Sequence, residues 1–264
     1  LSKQIRNTSV DAVADLHNVL RTKILSVFLL GLNFVQMDKG RSEKKALISG
    51  NLHVPLRTTT QRYADVFRRL GFDFDLDNPS FPEAKQLDAT VLSQLGQLSK
   101  PVIGIAPFAA YASKTYPLSK MEKVIFELQK ENKVLLFGGG LNETNLLKKI
   151  ASKFPNVYCV AGTFDLDQEL DIISNLKVML SMDSSNGHMA AMLGVSVVTL
   201  WGVTHPFAGF APFGQLDRNN LLSDLNKYPQ IPTSIYGNKY PEGYALAIET
   251  IPVKMIVKTV KANL

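Results

Sequence analysis

From Pro101 onward the sequence alternates short apolar, β-rich runs with amphipathic stretches of helical period, and that alternation admits few folds. The expected strands are 102–106 (VIGIA), 134–137 (VLLF), 157–160 (VYCV), 178–181 (VMLS) and 195–200 (VSVVTL). Expected helices lie between them at about 119–131, 143–154, 168–174 and 186–193. Strands joined by helical crossovers run parallel, because the helix carries the chain back to its starting edge. The expectation is a doubly wound α/β domain over 101–264, closed by a helix at about 252–262 that could cross back to a first domain.

The signal before Pro101 is thinner. Residues 11–16 (DAVADL) read as a strand, and 19–30 and 59–70 as helices, which is a poor set for a whole domain. The chain opens on Leu1 and the strand at 11–16 has no obvious partners, so 1–76 is expected to be an incomplete N-terminal domain. A polar stretch with Pro79 and Pro82, ending at Lys100, reads as a link over 77–100.

A chain of 264 residues, 45% hydrophobic and 20% charged, has globular proportions with room for two domains, which excludes disorder and fibrous repeats. Its single cysteine, Cys159, makes no internal disulfide and excludes a cysteine-rich zinc site. The longest apolar run, 24–32, is well short of the roughly 20 residues of a membrane span and lacks a signal-peptide layout, so the reading is a soluble, cytoplasmic protein. The net charge of +6 is unevenly placed: residues 1–72 hold 12 Lys and Arg against 5 Asp and Glu. Such a patch suits an anionic substrate or membrane surface, and equally a plain solvated face. The pI of about 9.2 alone points to nucleic acid, and without interleaved aromatic and basic residues that partner is rejected.

The densest chemistry lies in 181–206, SMDSSNGHMAAMLGVSVVTLWGVTHP. A buried strand ends in Asp183, Ser184 and Ser185 follow, and a helix starts with His188 in its first turn. Ligands of open α/β sheets sit beyond the carboxyl ends of the strands, where a helix N-terminus offers unpaired N–H groups and about half a positive charge to a phosphate. The alternative is that Ser and Asp only cap the helix. Asp183 would be repelled by a diphosphate, so it is assigned to holding the turn, while His188 could bond a phosphate oxygen or the loop itself. Gly202, Thr204, His205 and Pro206 leave the next strand on the same edge. Lys114, in PFAAYASKTYP after the first strand, suits a point charge for a phosphate leaving group, or is a solvent-facing lysine. In FGGGLNE, the glycines including Gly139 permit close backbone approach and Glu143 could take ribose hydroxyls. Neither GxGxxG nor GxxxxGK[ST] is present, so dehydrogenase and P-loop readings fall.

D-S-S-N-G-H followed by A-A-M-L-G-V-S-V-V-T-L-W-G-V-T-H-P, with S-K-T-Y-P and G-G-G-L-N-E upstream, resembles the bacterial glycosyltransferase family 9, the ADP-heptose:lipopolysaccharide heptosyltransferases. The likeness extends to DLHNVLR, with Asp15 and Arg21, and to QRYADVFRRLG, with Arg62. It implies a GT-B fold of two Rossmann-like domains, with an ADP-sugar donor on the C-terminal one and an anionic glycolipid acceptor on the N-terminal one. By that resemblance Lys114 neutralises the donor diphosphate, Glu143 with Gly139 meets the adenosine ribose, and Asp183, Ser184, Ser185, His188 and Thr204 form the diphosphate turn. Arg21, Arg41 and Arg62 belong to the acceptor side, with peripheral contact at the inner membrane surface and neither metal nor other cofactor.

The sequence departs from the family pattern in three places. Ser185 stands where the family usually has glycine in its D-[ST]-G turn, and Ala109 and Ala110 replace hydroxyl residues before the lysine. No strand with a Gly-x-Gly-Asp-like turn precedes Asp11, so the general base is expected to lie outside this chain, and Asp15 is read as structural. The implied activity is inverting transfer of a heptose-type sugar from ADP-heptose to a lipopolysaccharide core acceptor. The alternatives are a related transferase with another nucleotide-sugar donor and a non-catalytic nucleotide-binding protein.

Overall fold

A computed structural model describes residues 1–96, 98 and 101–264. The chain divides into two compact units, Leu1–Pro79 with Phe207–Phe210, and Ser80–Pro206 with Ala211–Leu264.

The first unit holds α1 (Ser2–Asn7), β1 (Ala12–Asp15), α2 (Leu20–Phe28), β2 (Asn33–Gln36), α3 (Arg41–Ile48) and α4 (Thr59–Arg69). The strand and two helices expected here form, but α1, β2 and α3 were not foreseen. β1 and β2 pair in parallel, from Ala12 opposite Asn33 to Asp15 opposite Gln36. α4 begins with a reciprocal cap: Thr58 Oγ1 accepts the Gln61 N–H at 3.1 Å and Gln61 Oε1 accepts the Thr58 N–H at 2.8 Å. Leu29, Leu47, Leu56, Ala64 and Val66 are buried in this unit.

The second unit contains α5 (Ala89–Leu95), β3 (Val102–Ala106), α6 (Leu118–Leu128), β4 (Lys133–Leu136), α7 (Gly140–Ala151) and β5 (Val157–Cys159). It continues with α8 (Leu166–Ser174), β6 (Val178–Met182), α9 (Ser185–Met192), β7 (Ser196–Trp201), β8 (Asn220–Leu222) and α10 (Val253–Lys261). The sheet has the order β5-β4-β3-β6-β7-β8, parallel throughout. All five expected strands form within a residue at either end, and the short edge strand β8 joins them.

Alternation along the strands divides the core between the two faces of the sheet. On one face Ile103, Ile105, Val134, Leu136, Val178, Leu180, Val198 and Leu200 pack with Met121, Val124, Ile125 and Leu128 of α6, Leu147 and Ile150 of α7, and Ile256 and Val260 of α10. On the other, Val102, Ala106, Leu135, Met179 and Val197 pack with Val91 and Leu95 of α5, Ile172 and Ile173 of α8, and Ala190 and Ala191 of α9. Each fully buried aliphatic side chain contributes about 1.5–3 kcal/mol relative to exposure.

α10 buries its apolar stripe against α6 inside the second unit. One expectation is corrected. The stretch read as a link over 77–100 carries α5, whose Asp88 caps it by accepting the Val91 N–H at 2.8 Å, and Leu87, Val91 and Leu95 belong to the sheet's core. The end of that stretch, at Gln97, Ser99 and Lys100, lies outside the described residues.

Candidate active site

The strand order reverses at β3: the chain leaves it for β4 on one side and returns after β5 as β6 on the other. At such a switch point the loops beyond the carboxyl ends diverge and leave a crevice for a ligand. Two loops meet here. After β3, the chain runs to a 3₁₀ turn at Ala112–Lys114; after β6, Asp183 and Ser184 lead into α9.

Lys114 Nζ lies 3.0 Å from Asp183 Oδ2, and each side chain is only 11% exposed. Thr204, in the loop after β7, donates its hydroxyl to the same Oδ2 at 2.9 Å. Three adjacent strand ends are thereby tied through one carboxylate oxygen. Asp183 thus joins its own turn to the loops after β3 and β7, and Lys114 is not the solvent-facing lysine of the alternative reading.

Ser184 occupies the N-cap position of α9 with extended backbone, φ −151° and ψ 172°, yet its side chain makes no capping bond. Its Oγ is buried and, among the described residues, has no hydrogen-bond partner, whereas buried hydroxyls are ordinarily satisfied. Ser185 is exposed at the first helical position and His188 is half-buried in the same turn region. Burial pushes the His188 imidazole below its ordinary range; the Asp183 carboxylate opposes this and the Lys114 charge adds to it. The shift favours the neutral ring, which can donate or accept a hydrogen bond. Burial also pushes His205, beyond β7, down to about 4.

At the end of β4, beside β3 in the sheet, Gly139 donates its N–H to Glu143 Oε2 at 2.8 Å in the first turn of α7. One carboxylate oxygen thus steadies the glycine turn.

The residues that sequence reasoning missed are Ser113, Ser234 and Gly237. Ser113 donates its hydroxyl to the Gly237 carbonyl at 2.6 Å, and Gly237 donates its N–H to Ser234 Oγ at 3.1 Å. The Pro- and Gly-rich composition of 229–243 marked a loop there, but nothing local indicated that it returns to Lys114.

The basic candidates lie in the first unit. Arg21 on α2 and Arg41 on α3 are exposed. Arg62 is a correction: it is 4% exposed, and its guanidinium is held by Glu43 Oε2 at 2.7 Å and by the carbonyls of Arg57 and Asp38 at 3.2 and 3.3 Å. It is a strut between α3 and α4, in the wall of a cavity of about 490 Å³ also lined by Asp38, Arg57, Asp65, Arg68 and Arg69. Asp15 is structural in geometry as well. It accepts the His17 and Asn18 N–H groups at 3.0 and 2.8 Å and the Gln36 amide at 3.0 Å. Burial pushes its carboxyl up, and bonds from Thr22, Asn18, His17 and Gln36 outweigh that and hold it below the usual range.

Comparison with known proteins places this arrangement. The chain is 26% identical to lipopolysaccharide heptosyltransferase 1 of Campylobacter coli, over 98% of its own length and 77% of the relative's. Its fold matches a glycosyl transferase family 9 protein from Veillonella parvula with a TM-score of 0.71, at 16% identity, covering 99% of this chain and 76% of the other. It matches E. coli heptosyltransferase WaaC with ADP at a TM-score of 0.66 and 17% identity, over 100% and 77% of the two chains. E. coli ADP-heptose lps heptosyltransferase II follows at 0.65 and 20%, over 99% and 78%. These structures establish a GT-B-like α/β fold. The sequence profile of "Glycosyltransferase family 9 (heptosyltransferase)" matches residues 1–238, a span that takes in the first unit, the sheet of the second and Lys114, Glu143, Asp183 and Thr204, and the chain belongs to that family.

Proposed function

We propose that the protein is an inverting glycosyltransferase that moves a heptose-type sugar from ADP-heptose to a lipopolysaccharide core acceptor. The observation that carries the donor half is the Lys114 ammonium poised beside the start of α9, where the Ser184 hydroxyl is buried and unpartnered. A diphosphate entering there meets a fixed positive charge, the N–H groups and dipole of the helix, and an idle hydroxyl. Asp183 accepts from the Lys114 ammonium at 3.0 Å and so fixes it at the edge where the donor would enter. Glu143 has one oxygen on the Gly139 N–H and offers the other to ribose hydroxyls.

In the transfer, the anomeric carbon–oxygen bond to the diphosphate breaks as the acceptor oxygen attacks from the opposite face. Charge develops on the departing diphosphate, where Lys114 and the α9 N-terminus stabilise it; preorganised groups of this kind contribute a few kcal/mol each. Asp15 is committed as an acceptor within its own loop and Asp183 as an acceptor from the loops after β3 and β7, and neither is assigned as the base that takes the acceptor's proton.

The acceptor is assigned to the first unit because of its basic excess, with the exposed Arg21 and Arg41 meeting acidic sugars or phosphates. Among the described residues, no helix is long and apolar enough to cross a membrane. Contact with the inner membrane face is accordingly proposed as peripheral and electrostatic, and weakened by salt.

Calorimetric titration with ADP, UDP and GDP, paired with a transfer assay using ADP-heptose and heptose-free lipopolysaccharide core, tests the proposal. Selective ADP binding and transfer of heptose support it. Binding of UDP or GDP in preference to ADP would remove the donor assignment.

A further inference from the structure

We propose that Ser113 and Gly237 form a clamp that positions the Lys114 side chain for the donor diphosphate, a role that rests on the reading of Lys114 given above. Ser113 is fully buried and its hydroxyl donates to the Gly237 carbonyl at 2.6 Å. This bond joins the 3₁₀ turn after β3 to a loop more than 120 residues further along the chain. That loop is itself braced: Ser234 Oγ accepts the N–H groups of Gly237 at 3.1 Å and Lys239 at 3.3 Å, and Thr233 donates its hydroxyl to the Lys239 carbonyl at 2.8 Å.

Gly237 lies along the lysine's stem. A Cβ built on it would stand 2.8 Å from both Cγ and Cδ of Lys114, and its φ of +83° is a conformation that side-chain-bearing residues rarely adopt. Beneath the same turn, a Cβ on Gly202 would stand 2.0 Å from the Ser113 carbonyl oxygen. The turn is therefore pressed between two backbones that approach as closely as glycine permits. Beyond that stem, the lysine's ammonium is held at 3.0 Å by Asp183 Oδ2.

The chemical consequence follows from the flexibility of lysine. Its four-carbon stem loses much rotamer freedom when the ammonium is fixed, and a group held in place before the reaction incurs no such loss as charge develops. Neither Ser113 nor Gly237 needs to touch the nucleotide. They act through Lys114 and are positioning residues.

The test compares the affinities of ADP and AMP for the full chain and for Ser113→Ala, Gly237→Ala, Lys114→Ala and the Ser113→Ala/Lys114→Ala double variant, with thermal unfolding recorded for each. The expected result is that Ser113→Ala and Gly237→Ala weaken ADP about tenfold and leave AMP within about twofold. In the Lys114→Ala background, Ser113→Ala should produce no further loss, because the lysine it serves is gone. If Lys114→Ala weakens ADP while Ser113→Ala binds it like the parent, or if Ser113→Ala costs the same tenfold with and without the lysine, the clamp is overturned alone. Parent-like ADP affinity in Lys114→Ala would overturn the reading of the lysine, and the clamp with it. Because Gly237→Ala introduces backbone strain and can unfold the loop, Ser113→Ala decides the matter if that variant melts early.

Discussion

Lys114 and Asp183, 69 residues apart, bring an ammonium and a carboxylate to 3.0 Å across the point where the strand order reverses. Each is almost wholly withdrawn from solvent, so the pair is not a surface ion pair of negligible consequence. An anion arriving at the start of α9 finds the ammonium already placed and must share it with Asp183.

Replacing Lys114 by Ala is expected to lower heptose transfer by about 10²- to 10³-fold, the magnitude typical of removing one preorganised donor at a developing oxyanion. It should also destabilise the second unit by about 1–3 kcal/mol, because Asp183 is left with Thr204 alone. Steady-state kinetics and chemical denaturation read the two effects separately. Transfer within a few-fold of the parent would remove Lys114 from the mechanism.

Ser184→Ala should move stability and binding in opposite directions. The hydroxyl has no partner among the described residues, so its removal relieves an unsatisfied group and leaves the melting temperature equal or higher. ADP affinity should fall several-fold, for the loss of one hydrogen bond to the ligand. A drop in melting temperature with unchanged ADP binding would show that Ser184 is an ordinary structural residue.

Arg62→Ala is expected to destabilise the first unit by about 2 kcal/mol, through the lost bonds to Glu43 and two carbonyls and the space left by the side chain. Glu43 is partly exposed and regains water, which keeps the cost below that of stripping a fully buried pair. Arg41→Ala should leave stability within about 0.5 kcal/mol and raise the KM for the anionic acceptor. Unfolding curves and acceptor titrations for the two variants distinguish a strut from a binding group.

Acid should weaken the second unit through His205. Its folded value of about 4 lies below the 6.5 of an unperturbed imidazole, so the unfolded chain binds the proton more readily over that interval. Stability is full above about pH 6.5 and falls as the pH drops toward 4, by a total of about 3 kcal/mol. In His205→Gln the slope of stability against pH between 4 and 6.5 should shrink by that share; an unchanged slope would contradict the assignment.

The second unit was legible because β3 to β7 are short apolar runs and each crossover between them carries an α-helix; only the β7–β8 connection, among the described residues, lacks one. α5 was less legible: Val91 and Leu95 share one face of a helix only seven residues long, Leu87 lies just before its Asp88 cap, and Pro79 and Pro82 give the start of the stretch the look of a link. β8 is three residues long and β2 four, too short for a periodic signal to separate from a loop. At the site, the strand-end rule placed Lys114, Asp183 and Thr204 on one edge, but their sharing of a single oxygen is a tertiary fact. Gly237 could not be found from sequence at all, since its significance lies in contact with a lysine more than 120 residues earlier. Arg62 was misread for a related reason: a basic residue in a basic stretch gives no local sign that it is buried.

The most direct measurement is a crystal structure of the chain soaked or grown with ADP. The account predicts the diphosphate at the N-terminus of α9, within hydrogen-bond distance of Lys114 Nζ and the Ser184 hydroxyl, with the ribose near Glu143. ADP bound away from this crevice, with the Lys114–Asp183 pair and the idle Ser184 hydroxyl unchanged, would contradict it.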